Sequence, residues 1–243
     1  TLYIADLIIY YMNRNVSFPV HDIAGSWKSS VGTEKCPALL FWTKKEEIKM
    51  QYTKLGNSEL NVSRICMGCM GFGDAKNGQH SWTLDEEHSR EIIRRGLELG
   101  VNFFDTAIGY QSGTSEQYVG RALRDFADRE KVVVATKFLP RTQAEIQDGV
   151  TGQQHIERMI NTSLKNLGMD YVDLYIYHMW DYETPLYDIM DGLNRIVKAG
   201  KARYIGISNC FAYQLAKANA LAEREGFAKF VSVQSHYNLI FRE

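Results

Sequence analysis

From about residue 50 onward the chain alternates between two rhythms of apolar and polar positions. Residues 101–104, 132–135, 172–177, 202–207 and 230–233 are short and apolar almost throughout, as buried strands are. Between them lie stretches with apolar residues on one helical face. Residues 85–99 carry Ile92, Ile93, Leu97 and Leu99 among charges, and Gly100 stops them. Helices are likewise predicted over 115–127, 153–167, 185–197 and 213–224, with Gly168, Gly200 and Gly226 as terminators and Pro185 in a first turn. Upstream, Tyr52-Thr53-Lys54-Leu55 and Leu60-Asn61-Val62-Ser63 flank Gly56-Asn57-Ser58-Glu59, which signals a hairpin. An apolar run over 65–70 then leads into a glycine-rich loop.

Near-continuous apolar strands separated by amphipathic helices predict a parallel sheet covered by helices. An open dinucleotide fold would place G-x-G-x-x-G between its first strand and helix. Here Gly68-Cys69-Met70-Gly71-Phe72-Gly73 has the wrong spacing. Polar residues instead stand after strand upon strand, all at the same end, which is the barrel pattern. The expected fold is α/β, of the (β/α)₈ TIM-barrel type with an N-terminal β-hairpin. The alternation supplies six strands, so the last two βα units are expected to be missing and two parallel edges to be exposed and prone to association. Residues 1–49 show neither rhythm and end in Lys44-Lys45-Glu46-Glu47. They are expected to be an atypical extension, with disorder as one reading, ahead of an incomplete barrel domain over residues 50–243.

Composition narrows the function classes. Hydrophobic residues make up 45% and charged residues 23% of the 243, and the net charge is −1. That balance argues against a nucleic-acid or membrane-surface partner recruited by charge. No apolar run approaches the roughly 20 residues of a membrane span. Cys66 and Cys69 form a C-x-x-C, but no second pair or histidine motif completes a metal site, so they read as small buried residues. No metal is expected, and the default setting is reducing and cytoplasmic.

The polar residues at the strand ends carry the chemistry. Asp105 and Tyr110 follow one strand, Lys137 ends the next, and His178 follows the third. Each alone has an ordinary structural reading, and Tyr110 is one of 14 tyrosines. Together they would meet at one barrel mouth. Hydride addition to a carbonyl leaves negative charge on oxygen, and a positioned acid is worth ~10²–10⁴-fold. A phenol is a poor acid at neutral pH until a nearby ammonium favours its ionised form. An aspartate can compensate that lysine, and a histidine can orient the substrate oxygen.

Residues 100–110, with Asp105-Thr106-Ala107-Ile108-Gly109-Tyr110, resemble the signature of the aldo-keto reductase family. So do Ser115-Glu116, Val119-Gly120-Arg121-Ala122-Leu123, Ala135-Thr136-Lys137, the approach Tyr171-Val172-Asp173-Leu174 to His178, residues 200–209, and Gln234 with Tyr237-Asn238. The resemblance covers residues 50–243, and Trp180-Asp181-Tyr182 after His178 looks closest to a bacterial branch linked to aryl-alcohol, glyceraldehyde-phosphate and sugar-phosphate activities. It implies NADP(H) as cofactor and a small-molecule carbonyl substrate. It also implies Tyr110 as general acid, Lys137 as its partner, Asp105 as the lysine's partner and His178 as the orienting group. Asp105, Ser208, Asn209 and Gln234 would hold the nicotinamide end. The family's remaining cofactor contacts come from a seventh strand and beyond an eighth, so NADP rather than NAD is implied by resemblance alone, and little activity is expected of the chain as written. Met70, Phe72 and Trp180 fall in loops expected to rim the mouth, with Trp82 a further candidate, and an aromatic rim suits aryl or short aliphatic aldehydes. Two other readings stay open: a truncated, non-catalytic barrel fragment, and a cofactor-binding regulatory subunit.

Overall fold

The computed structural model describes residues 49–236 and 238–240. The expected N-terminal extension lies, but for its last residue, outside the described residues. A hairpin comes first, with β1 (Tyr52–Lys54) antiparallel to β2 (Asn61–Ser63). Then follow β3 (Met67–Gly68), α1 (Glu86–Glu98), β4 (Phe103–Asp105), α2 (Thr114–Phe126), β5 (Val133–Phe138) and α3 (Gln143–Gln147). The remainder is α4 (Gly152–Leu167), β6 (Val172–Tyr177), α5 (Leu186–Lys198), β7 (Ala202–Ser208), α6 (Ala212–Glu225) and β8 (Phe230–Gln234). Strands β3 to β8 form one six-stranded parallel sheet in chain order. The sheet is curled into part of a TIM barrel.

Side-chain capping starts α1 and α4, and a left-handed glycine follows α1, α4, α5 and α6, whereas α2 has neither. The Asp85 carboxylate accepts from the His88 amide ahead of α1. Thr151 and Gln154 make a reciprocal capping box at α4, which Gly168 closes at φ 64°. The apolar run over 65–70 yields only the two residues of β3, which pair with Phe104 and Asp105 of β4. The short helix α3 was not anticipated; five residues offer too little periodicity to read.

Strand alternation splits the apolar residues into two layers. Phe103, Val133, Ala135, Leu174 and Ile176 face the concave side and pack with hairpin residues Leu55, Leu60 and Val62, so the hairpin plugs the base of the sheet. Phe138 lies in the other layer and stacks on Tyr175 and Tyr177 with ring centroids 4.7 Å apart in each case. Helices α2 and α4 approach closely at Gly120, where a Cβ would stand 2.0 Å from the Leu167 carbonyl oxygen.

Candidate active site

Register places the charged pair. Asp105 is the last residue of β4 and lies opposite Ala135 of β5. Lys137 is two residues further along β5, hence on the same face. Its ammonium donates to Asp105 Oδ2 at 2.8 Å, to the Thr106 carbonyl at 2.9 Å and to Tyr110 Oη at 3.1 Å. The lysine is 1% exposed. Burial alone would lower its pKa, but the Asp105 charge and the Tyr110 hydroxyl outweigh burial and raise it, so the ammonium is held charged.

Tyr110 opens a tight turn over Tyr110–Gly113 in which Gln111 (φ 45°) and Ser112 (φ 52°) are left-handed. Such conformations cost non-glycine residues about 1 kcal/mol or more each, so something must hold them. The buried Gln111 amide does: Oε1 accepts from the His80 amide at 2.9 Å, and Nε2 faces the carbonyls of Asp74 at 2.9 Å and His80 at 2.8 Å. His178 follows β6 and is anchored by its amide on the Phe138 carbonyl at 2.9 Å. Its ring meets the Tyr110 ring edge-on, centroids 6.0 Å apart. Burial, then the Lys137 charge, push its pKa down to about 4, so the imidazole is neutral at neutral pH. Around one mouth, then, stand a phenol on an ammonium, a carboxylate behind the ammonium and a neutral imidazole beside the phenol.

The aldo/keto reductase family model matches residues 64–243. The chain belongs to the aldo/keto reductase family. It is 37% identical over 212 residues to versiconal hemiacetal acetate reductase of Aspergillus parasiticus, covering 80% of this chain and 61% of that protein. It is 36% identical over 187 residues to an aryl-alcohol dehydrogenase of Pestalotiopsis microspora, covering 75% and 48%. A thermostable aldo-keto reductase solved in complex with the inhibitor epalrestat superposes with a TM-score of 0.65 at 28% identity, covering 78% of this chain and 63% of that one. The chain thus spans less than two thirds of these proteins. Both curated relatives are fungal, and neither speaks for the bacterial branch expected from the loop after His178.

Other polar groups of this aldo/keto reductase chain converge beside Asp105. Ser208 Oγ donates to the Gln234 carbonyl at 2.7 Å, and Asn209 Nδ2 donates to the His178 carbonyl at 2.9 Å and to Ser208 Oγ at 3.0 Å. Gln234 Nε2 reaches Asp105 Oδ2 at 3.3 Å. Gln234 Oε1 is buried and accepts from no described group. An open acceptor next to two further amide and hydroxyl groups fits a ligand carboxamide, which brings its own N–H donors.

The rim expectations divide. Met70 and Trp180 are half-buried, and Trp82, 54% exposed, stacks on His80 at 4.8 Å. Phe72 departs from the expectation: it is wholly buried, where the loop after β3 forms a parallel bridge with Leu84. Cys66 and Cys69 are buried thiols, and burial pushes the Cys69 pKa up, away from the thiolate a metal would need. Sequence reasoning missed Gln111, which holds the Tyr110 turn, and the Thr106 carbonyl, which receives the Lys137 ammonium. No local signal marks either residue.

Proposed function

We propose that the chain reduces the carbonyl of an aldehyde or ketone to the alcohol by hydride transfer from NADPH, with Tyr110 as general acid. One observation carries the reading: the Lys137 ammonium contacts the Asp105 carboxylate and the Tyr110 hydroxyl at once. Bound NADPH would supply the hydride, held at its nicotinamide end by Asp105, Ser208, Asn209 and Gln234. As charge grows on the substrate oxygen, Tyr110 delivers its proton, and Lys137 stabilises the phenolate left behind. Asp105 compensates the lysine, which is otherwise a lone buried cation. His178, neutral, hydrogen-bonds the substrate oxygen and orients it without competing as an acid.

The half-buried Met70 and Trp180 and the exposed Trp82 support an aryl or short aliphatic aldehyde as substrate, in keeping with the aryl-alcohol relative. We place this chemistry in the cytoplasm, where NADPH is available. The test is consumption of NADPH, followed by its absorbance, with 4-nitrobenzaldehyde, by a version of the chain extended to a complete barrel. The expected result is turnover that falls by about 10²-fold or more in Tyr110→Phe. An inactive extended protein, or a Tyr110→Phe variant of it that keeps the rate, contradicts the proposal.

A further inference from the structure

Lys137 has a second carboxylate behind it. Glu116, near the start of α2, is wholly buried on the helix side of the sheet. Thr136, the residue just before Lys137, donates its hydroxyl to Glu116 Oε1 at 2.6 Å. Asn166, near the end of α4, donates its amide to Glu116 Oε2 at 2.8 Å. That same amide nitrogen abuts the turn that Tyr110 opens: a Cβ on Gly113 would stand 2.7 Å from it. The neighbouring Ser115 hydroxyl donates to the Cys69 carbonyl at 2.7 Å and lies 3.0 Å from Thr106 Oγ1. The first turn of α2 thus grips the ends of β3 and β4, the strand β5 and the far edge of the Tyr110 turn.

We propose that Glu116 is a positioning residue for the reduction, fixing β5 and the Tyr110 turn relative to each other so that Lys137 Nζ stays in hydrogen-bond range of Tyr110 Oη. The inference rests on the reduction reading. Lys137 comes from a strand and Tyr110 from a strained turn, so the contact between them is set by whatever ties strand to turn. Glu116 does so with one oxygen for each side. A buried carboxylate is costly without partners, and an apolar residue of similar size would fill the space at lower cost. A misplacement of about 1 Å at a reacting group can cost about 10²-fold in rate, which is sufficient reason to keep it. Burial pushes the Glu116 pKa up, against the hydrogen bonds from Thr136 and Asn166; a glutamine can keep its oxygen for Asn166 and turn its amide nitrogen to Thr136 Oγ1, since a hydroxyl also accepts.

The test uses the version extended to a complete barrel, with Glu116→Gln, Glu116→Leu and Thr136→Val. Turnover of 4-nitrobenzaldehyde is measured alongside titration of Tyr110, followed by NMR of ring-carbon-labelled tyrosine and assigned with Tyr110→Phe. Glu116→Gln is expected to keep kcat within about 3-fold and leave the Tyr110 midpoint in place. Glu116→Leu and Thr136→Val are expected to lower kcat by about 10-fold or more, hold the aldehyde KM within about 2-fold, and move the Tyr110 midpoint upward as the ammonium loses alignment. A folded Glu116→Leu with unchanged kcat and midpoint overturns the proposal, as does a Glu116→Gln that behaves like Glu116→Leu. If Glu116→Leu does not fold, Thr136→Val decides, and an unchanged midpoint there overturns it. Lys137→Met separates the two levels. If Tyr110 does not respond even to Lys137→Met, the reduction reading fails; if it responds to Lys137→Met and not to the Glu116 and Thr136 variants, this inference alone fails.

Discussion

Asp105 and Asp173 are both buried aspartates bound to cations, at opposite ends of the same sheet. Asp173, second in β6, is saturated: Oδ2 accepts from Arg129 at 2.8 Å and from the Val134 amide at 2.9 Å, and Oδ1 from Arg203 at 3.2 Å. Asp105, last in β4, binds a lysine whose ammonium also touches a phenol at the mouth. The same side chain therefore does two jobs. At the base it closes a network on fixed guanidinium and backbone donors. At the mouth it holds a charge against a group that can give up a proton. The difference follows from strand polarity in a parallel barrel, where the carboxyl ends carry chemistry and the amino ends carry stability.

The largest effect is expected from Lys137→Met. Turnover should fall by about 10²-fold or more, and unfolding free energy by about 3 kcal/mol, because Asp105 is left buried without its cation. Denaturant titration and the aldehyde assay on the same preparation measure both. Asp173→Ala should cost a similar amount of stability, about 3 kcal/mol, by stranding Arg129 and the Val134 amide. Its turnover per folded molecule should stay within about 3-fold, since nothing at the mouth changes. A loss of specific turnover in folded Asp173→Ala would erase the distinction between the two ends.

How much of this contrast was legible in the sequence depends on distance along the chain. The strand–helix alternation, the hairpin and the strand-end positions of Asp105, Lys137 and His178 were all readable, because each rests on a local period or a local terminator. Asp173 was visible only as part of a family-like approach to His178; its partners Arg129 and Arg203 lie 44 and 30 residues away and share no local pattern with it. Gln111 was hidden for the same reason, and its left-handed backbone in a turn without glycine at that position gives no warning. Phe72 looked like a rim residue because a glycine-rich loop at a barrel mouth is ordinarily exposed. A parallel bridge between Phe72 and Leu84 ties that loop to the residues ahead of α1, and the ring is wholly buried.

Smaller effects sharpen the comparison. Arg203 is half-exposed, so Arg203→Ala should cost about 1 kcal/mol or less, well below Asp173→Ala, in a denaturant midpoint comparison. His178 should give a pH signature. Its pKa is about 4 in the folded protein against an ordinary value of 6.5, so the unfolded chain binds more protons between these values. Stability should therefore fall as pH drops from about 6.5 through about 4. Denaturant midpoints of wild type and His178→Gln across that window should show a shallower fall in the variant. Equal slopes would mean that His178 is not held neutral by its surroundings.

The central claim is that the mouth pair is kept for chemistry at some expense in stability. The direct measurement is unfolding free energy and turnover of Asp105→Asn/Lys137→Met beside the two single variants. Removing both charges together leaves no buried ion alone, so the double variant should be more stable than either single one by about 2 kcal/mol, and close to wild type. Its turnover should remain as low as that of Lys137→Met. A double variant that regains turnover, or one as unstable as the single variants combined, would contradict the account.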